Sequence, residues 1–264
     1  MDTGLIDWEA LTLFCYIVSR MFGFVMFNPF FSRSGVPATA RIGMVLAFTL
    51  TAQSAYTGPV HVPVVLLDAM FRFTAEMGVG LALSFVIRFF FYIPEQAGEL
   101  VDAQMGMAMA RNYDPGSQSS STVTANLLSQ MMVVLFFLGN GHVTLIRLML
   151  TSGELIPFGA AALGPRAADR SLALFTECAL LAVKMGFPIL AAELMGQIGM
   201  GILMKVIPQI NVFAMNIELK VIMGMVMISL LMAPMGSFLL ETESYMLARL
   251  QELLTLMTGQ GMTG

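Results

Sequence analysis

The sequence predicts an all-α protein made of hydrophobic helical hairpins, and three observations carry that prediction. Hydrophobic residues make up 57% of the 264 residues and charged residues only 11%, against ~25% charged in an ordinary soluble domain. With a mean hydropathy of +0.80, the chain could not clothe a water-exposed surface, so apolar solvent or apolar partners must cover much of it. Second, the apolar residues gather into blocks, several of which hold the ~20 helical residues that cross a bilayer core. Third, prolines fall between many of these blocks, where helices end or bend.

The blocks run over 10–31, 42–56, 64–93, 122–150, 171–204 and 211–240. The first follows the acidic start Met1-Asp2-Thr3-Gly4-Leu5-Ile6-Asp7-Trp8-Glu9, unlike the basic start of a secretory signal, and is expected to stay in the mature chain. The second is short for a span and reads as a partner-packed or re-entrant piece. Pro29, Pro37, Pro59, Pro63, Pro94 and Pro115 mark helix ends or bends in the first half. Pro188 and Pro234 lie inside blocks, where they predict kinks. Gly164-Pro165-Arg166 sets the main internal boundary, dividing residues 1–165 from residues 166–264. The C-terminal portion reads as a helical hairpin turning near Ile207-Pro208-Gln209-Ile210-Asn211. By the positive-inside rule Arg33 and Arg41 are expected to put the first loop in the cytoplasm and the N-terminus outside, since the N-terminal tail and the Gly58–Pro63 loop carry no lysine or arginine. Later loops mix signs (Arg111 with Asp114; Arg166 and Arg170 with Glu154 and Asp169) and orient nothing further.

Charges inside or beside apolar blocks need partners, because each costs a few kcal/mol at a bilayer centre. They are Arg20, Arg72, Glu76, Arg88, Arg147, Glu177, Lys184 and Glu193. Arg72 and Glu76 are four apart and are expected to pair on one helix face. Glu177 and Lys184, seven apart, lie two turns along another face, with Glu193 about ninety degrees from that stripe. Both signs are present without an acidic cluster. This favours buried or intersubunit ion pairs over a proton relay. Gly78 and Gly80 in one block, and Gly186, Gly196, Gly199 and Gly201 in another, are expected to let helices approach closely.

Other functions lack their chemistry. A formal charge of −4 offers no basic stripe for nucleic acid. Gly196-Gln-Ile-Gly199-Met-Gly201 has the wrong order for a dinucleotide loop, and no strand precedes it. His61 and His142 have no paired ligands at metal spacing, and nothing places Ser34 near His142 as nucleophile and base. His142, in Gly139-Asn140-Gly141-His142, is expected to turn a helix end. Cys15 and Cys178 read as small buried hydrophobes. No enzyme activity and no cofactor are expected.

The most informative stretch is 104–118, where Gln104-Met-Gly-Met-Ala-Met-Ala-Arg-Asn-Tyr breaks at Asp114-Pro115-Gly116 into a Ser/Thr tract. Non-helical backbone between two membrane-grade blocks must face water or protein. Met105, Met107 and Met109 give this break a soft lining that can re-pack around varied partners. The chain's 25 methionines include a second cluster, Met195, Met200 and Met204, before the Pro208 turn.

Three segments together resemble the FliR family of flagellar type III export-gate proteins. They are Gln104-Met-Gly…Tyr113-Asp-Pro-Gly-Ser, Leu135-Phe-Phe-Leu-Gly-Asn140-Gly-His142, and Pro208-Gln-Ile-Asn-Val-Phe213 with Leu219-Lys220. The resemblance covers essentially the whole chain. The injectisome relatives, the SctT family, share the last motif more than the middle one. What it implies is a non-enzymatic channel subunit of the bacterial inner membrane, in the flagellar basal body. It would assemble with FliP-like and FliQ-like subunits, beside FlhA-like and FlhB-like components, and pass unfolded polypeptides. Residues 1–165 would be FliP-like and residues 166–264 FliQ-like. The pore or plug loop would comprise Met105, Met107, Met109, Tyr113, Asp114, Pro115 and Gly116, with Met109 and Asn112 standing where relatives often carry phenylalanine. Pro208, Gln209, Asn211 and Phe213 would form a cytoplasmic hairpin tip contacting an FlhB-like partner. Helix packing falls to Gly196, Gly199 and Gly201, and membrane lipid covers what partners do not. The competing reading is a stand-alone secondary transporter of a small solute or ion, which an internal repeat would support; none is evident.

Overall fold

The computed structural model describes residues 7–31, 36–107, 111–114, 119–161, 165–206 and 212–257, with the backbone alone at 111–114, 119–120, 165–166, 204 and 212–217. Among the described residues are seven helices: α1 Trp8–Phe27, α2 Ala38–Ala55, α3 Leu66–Met105, α4 Val123–Leu138, α5 Gly141–Leu155, α6 Pro165–Val206 and α7 Val212–Met257. The expected all-α class holds, with one addition. Strands β1 (Arg111–Asp114) and β2 (Ser119–Thr122) pair antiparallel between α3 and α4.

Local sequence explains most boundaries. Asp7 caps α1, its carboxylate accepting from the amides of Glu9 (3.1 Å) and Ala10 (3.2 Å), which satisfies donors that the first turn leaves free. Leu13, Tyr16, Ile17, Arg20 and Phe24 form the buried stripe of α1 at helical spacing. α2 follows Pro37 and buries only Val45, Thr49 and Ala52. It packs against α1 and α5 and is not among the helices long and apolar enough to span a bilayer. Those are Trp8–Phe27, Leu66–Met105, Ala167–Leu203 and Glu218–Met257.

The block at 122–150 divides where the glycines stand. Asn140, between α4 and α5, adopts a left-handed φ of 58°. His142 falls in the first turn of α5, the helix-end position expected of it. α6 opens on Pro165, a residue whose missing amide costs nothing in a first turn. Prolines inside apolar blocks behave differently. Pro94, expected to end or bend a helix, lies within α3, and Pro188 and Pro234 lie within α6 and α7. A proline removes one helical hydrogen bond. The buried run Phe90, Ile93, Ala97 and Val101 supplies enough packing to carry α3 past that loss.

The chain forms two compact units. One comprises Met1–Phe89, Asn140–Phe175 and Ser244–Gly264, the other Phe90–Gly139 and Thr176–Glu243. The boundary at Gly164–Pro165 marks the start of α6 and lies within the first unit.

The first unit is built on a close crossing of α1 and α3. A Cβ on Gly23 would lie 2.3 Å from the Met77 carbonyl oxygen, and one on Gly80 only 2.0 Å from that of Arg20. Beside this contact the Ser84 hydroxyl donates toward the Phe24 carbonyl (2.7 Å). The same crossing buries a charge. Arg20 is fully buried; its Nε donates to Glu76 Oε2 at 2.7 Å, its Nη1 to Ser152 Oγ at 3.2 Å and its Nη2 to the Ile156 carbonyl at 3.0 Å. Its guanidinium lies 4.3 Å from the centre of the Phe158 ring. Glu76 also accepts from the Gly159 amide at 2.7 Å.

The expected Arg72–Glu76 pair is therefore corrected. Arg72 turns back to Asp68 (2.9 Å) and donates to the Gly159 carbonyl, while Glu76 takes Arg20 from another helix. The i,i+4 spacing fits either neighbour of Arg72, and the fully buried guanidinium has the greater need of a carboxylate. Gly159 has φ +85°, and a Cβ there would strike the Tyr16 ring at 2.7 Å, so only glycine can bring this turn against both charges. Outside the spans, burial raises the Tyr56 phenol above its ordinary range, and its ring meets Phe158 edge-on at 5.0 Å.

Candidate functional site

The site lies in the second unit, where α3 ends and α4 begins. Met105 is the last residue of α3. Gly106 follows with φ +79° and open space where a side chain would be, a left-handed step that glycine takes at little cost. The chain leaves along Met107 and is next described in β1. Its register with β2 pairs Arg111 with Thr122, Asn112 with Ser121, Tyr113 with Ser120 and Asp114 with Ser119. β2 runs directly into α4, so the ribbon stands as an antiparallel excursion between two helix ends.

One buried carboxylate closes the base of that excursion. Asp102, fully buried in the last turn of α3, accepts the Thr124 amide at 2.7 Å and the Thr124 hydroxyl at 2.5 Å. Thr124 is in the first turn of α4, whose own N-cap residue Thr122 gives no side-chain cap. Asp102 therefore caps α4 from another helix. Its negative charge sits where the helix dipole favours it. The two helices touch because Gly98 has no side chain; a Cβ there would lie 2.3 Å from Ala125 Cα.

On the other side, Met105 is seated on α7. It is 1% exposed, and a Cβ on Gly224 would fall 1.9 Å from its Sδ and 3.1 Å from Glu193 Oε1. The missing side chain of Gly224 thus makes a socket for the thioether, with a buried carboxylate from α6 at its edge. The ribbon is held at its root by one charge-assisted cap and one apolar seat.

Of the loop residues named from the sequence, Met105 is buried in this seat and Met107 is half-buried. Tyr113 and Asp114 lie in β1, while Met109, Pro115 and Gly116 lie outside the described residues. Asp114-Pro115-Gly116 falls at the link between β1 and β2. Pro208, Gln209 and Asn211 also lie outside the described residues, between α6 and α7, and Phe213 falls in the first turn of α7. Gly196 takes the Met223 side chain of α7, a Cβ there falling 1.9 Å from its Cε, whereas Gly199 and Gly201 open onto free space. Glu177 is half-buried and Lys184 exposed. The sequence hides Asp102, Gly98 and Gly224, because their partners come from segments distant along the chain.

The family described as bacterial export proteins, family 1, matches residues 11–244. The flagellar biosynthetic protein FliR of Escherichia coli (strain K12) is 27% identical over 232 residues, covering 86% of this chain and 87% of that protein. FliR of Bacillus subtilis (strain 168) is 25% identical over 232 residues, covering 85% and 88%. The Yop proteins translocation protein T of Yersinia pestis is 28% identical over 182 residues, covering 68% and 70%.

Proposed function

Because this chain belongs to the bacterial export proteins, family 1, we propose that it is a channel subunit of the flagellar type III export gate. At the level of the family, it is a structural membrane component of a type III export apparatus, and its partners lie within that machinery. The match across residues 11–244 carries the reading. The FliR relatives and the Gly139-Asn140-Gly141-His142 segment favour the flagellar branch over the injectisome branch.

In finer terms, the chain assembles with FliP-like and FliQ-like subunits in the bacterial inner membrane, at the base of the flagellum. Residues 1–165 take the FliP-like place and residues 166–264 the FliQ-like place. FlhA-like and FlhB-like components meet it on the cytoplasmic side, the latter at the tip formed by Pro208, Gln209, Asn211 and Phe213. Unfolded polypeptides pass through the assembled pore. The excursion at 104–118 plugs the resting pore, with methionines and Tyr113 making a seal that yields to varied chains. A ribbon rooted by Asp102 and Met105 suits that role, since a plug must be anchored at its base.

Co-expression with FliP-like and FliQ-like partners, followed by purification and planar-bilayer recording, tests both levels. The assembled gate should be closed, and deletion of 106–116 should leave assembly intact and make it leak ions. Unchanged conductance of a fully recovered complex would remove the plug role. A chain that is stable alone and moves a solute into liposomes would instead be a transporter.

A further inference from the structure

Glu193 poses a problem that the proposed function leaves unanswered. Its side chain is fully buried in the second unit, and neither carboxylate oxygen accepts a hydrogen bond from a described residue. A buried carboxylate without a donor is costly, by more than an ordinary lost hydrogen bond. Such a group takes its donor from bound water, from a partner, or from another arrangement of the molecule, and the last of these is testable here.

The surroundings name that arrangement. Glu193 Oε1 borders the socket at Gly224 in which the Met105 thioether sits. Lys220 is four residues before Gly224 on α7, so the two share a helix face. It is half-buried. Its flexible four-carbon stem ends in three donors. With Met105 in the socket, an apolar group occupies the ground beside the carboxylate. With Met105 withdrawn, the space that Gly224 leaves open lies next to Glu193, on the helix face that carries Lys220.

We propose that Glu193 and Lys220 form a latch for the open gate, with Met105 and Lys220 as alternative occupants of the socket beside Glu193. In the closed arrangement the thioether fills the Gly224 socket and keeps the two charges apart. When the excursion at 106–118 is displaced it draws Met105 out. The Lys220 ammonium then donates to Glu193, and the ion pair holds the socket against the return of the plug. The trade explains the orphaned carboxylate, the missing side chain at Gly224 and the placement of Met105 at the root of the loop. It rests on the channel reading above.

The test uses the assembled gate with its FliP-like and FliQ-like partners in planar bilayers. Gly224→Ala puts a methyl group where Met105 Sδ lies, so it should unseat the methionine and give a measurable leak. Adding Glu193→Gln or Lys220→Met should each reduce that leak by roughly tenfold, ~1.4 kcal/mol of open-state stabilisation, and the two together should reduce it no further. The exchange Glu193→Lys with Lys220→Glu should restore it, which a merely structural role for either residue would not do. Independent, additive effects, or no effect of Glu193→Gln on the Gly224→Ala leak, would overturn the latch. A gate that stays closed even after deletion of 106–116 would instead bring down the channel reading, and a gate that leaks on that deletion but not with Gly224→Ala would overturn the latch alone.

Discussion

Arg20 is the residue on which the first unit most depends. Its guanidinium is committed to Glu76, Ser152 and the Ile156 carbonyl, and a ring covers its face. Replacing Glu76 by Ala leaves that cation buried with its strongest partner gone, a loss of ~3–5 kcal/mol. Thermal unfolding of the purified complex should show it as a large drop in transition temperature. Arg20→Met combined with Glu76→Met should lose much less, because the double change leaves no uncompensated charge. Equal losses in the single and double variants would mean that packing, and not charge, holds this crossing. Both residues stand out in the sequence as charges among apolar neighbours, but their pairing does not. The nearest spacing rule joins Glu76 to Arg72, while the real partner is 56 residues away and is chosen by a helix crossing that Gly23 and Gly80 permit.

At the scale of elements, the junction of α3, the ribbon and α4 matters most. Asp102→Ala removes the cap of α4, at a cost of ~1–2 kcal/mol, and frees the base of the ribbon. The expected outcome in the bilayer assay is an assembled gate that leaks intermittently. A tight gate with that substitution would show that the Met105 seat alone secures the loop. The helices themselves are legible in the sequence, because apolar blocks bounded by Gly and Pro leave few alternatives in a chain this poor in charge. Pro94 lies within α3 rather than at its end, while Pro188 and Pro234 lie inside α6 and α7, as their places within apolar blocks imply. The ribbon is not legible. Arg-Asn-Tyr-Asp and Ser-Ser-Ser-Thr are weak strand formers, and only Asp114-Pro115-Gly116 signals a reversal that could pair them.

For the whole molecule, the surface is the telling feature. Val64 is 98% exposed and Leu172 75%, and the outward faces of α6 and α7 are lined with residues such as Phe187, Ile198, Ile222 and Leu230. Such faces need lipid or sister subunits. Gly199 opens onto free space, so Gly199→Leu should spare the fold of this chain but block close approach by a neighbouring helix. Native gels of the co-expressed complex should then show less assembled gate and more free subunit; full recovery would place that face against lipid. Burial within one chain is written in its apolar periodicity. Which exposed face meets which neighbour is not, because an apolar helix surface looks alike to lipid and to protein.

The interleaving of the two compact units has a consequence for how the protein is made. The first unit draws on Ser244–Gly264, and its core includes Leu250, Leu253 and Leu254. The second is enclosed within it along the chain and needs residues up to Glu243. A ribosome therefore releases α1 to α6 and most of α7 before either core can close, and the usual order of synthesis, one domain folding while the next is translated, is barred. Until the last helix emerges, α1 and α3 carry Arg20 and Glu76 without the residues that complete their unit. The nascent protein is in that interval a set of apolar helices in need of a holder, and truncation near its C-terminus should be as damaging as truncation at its middle.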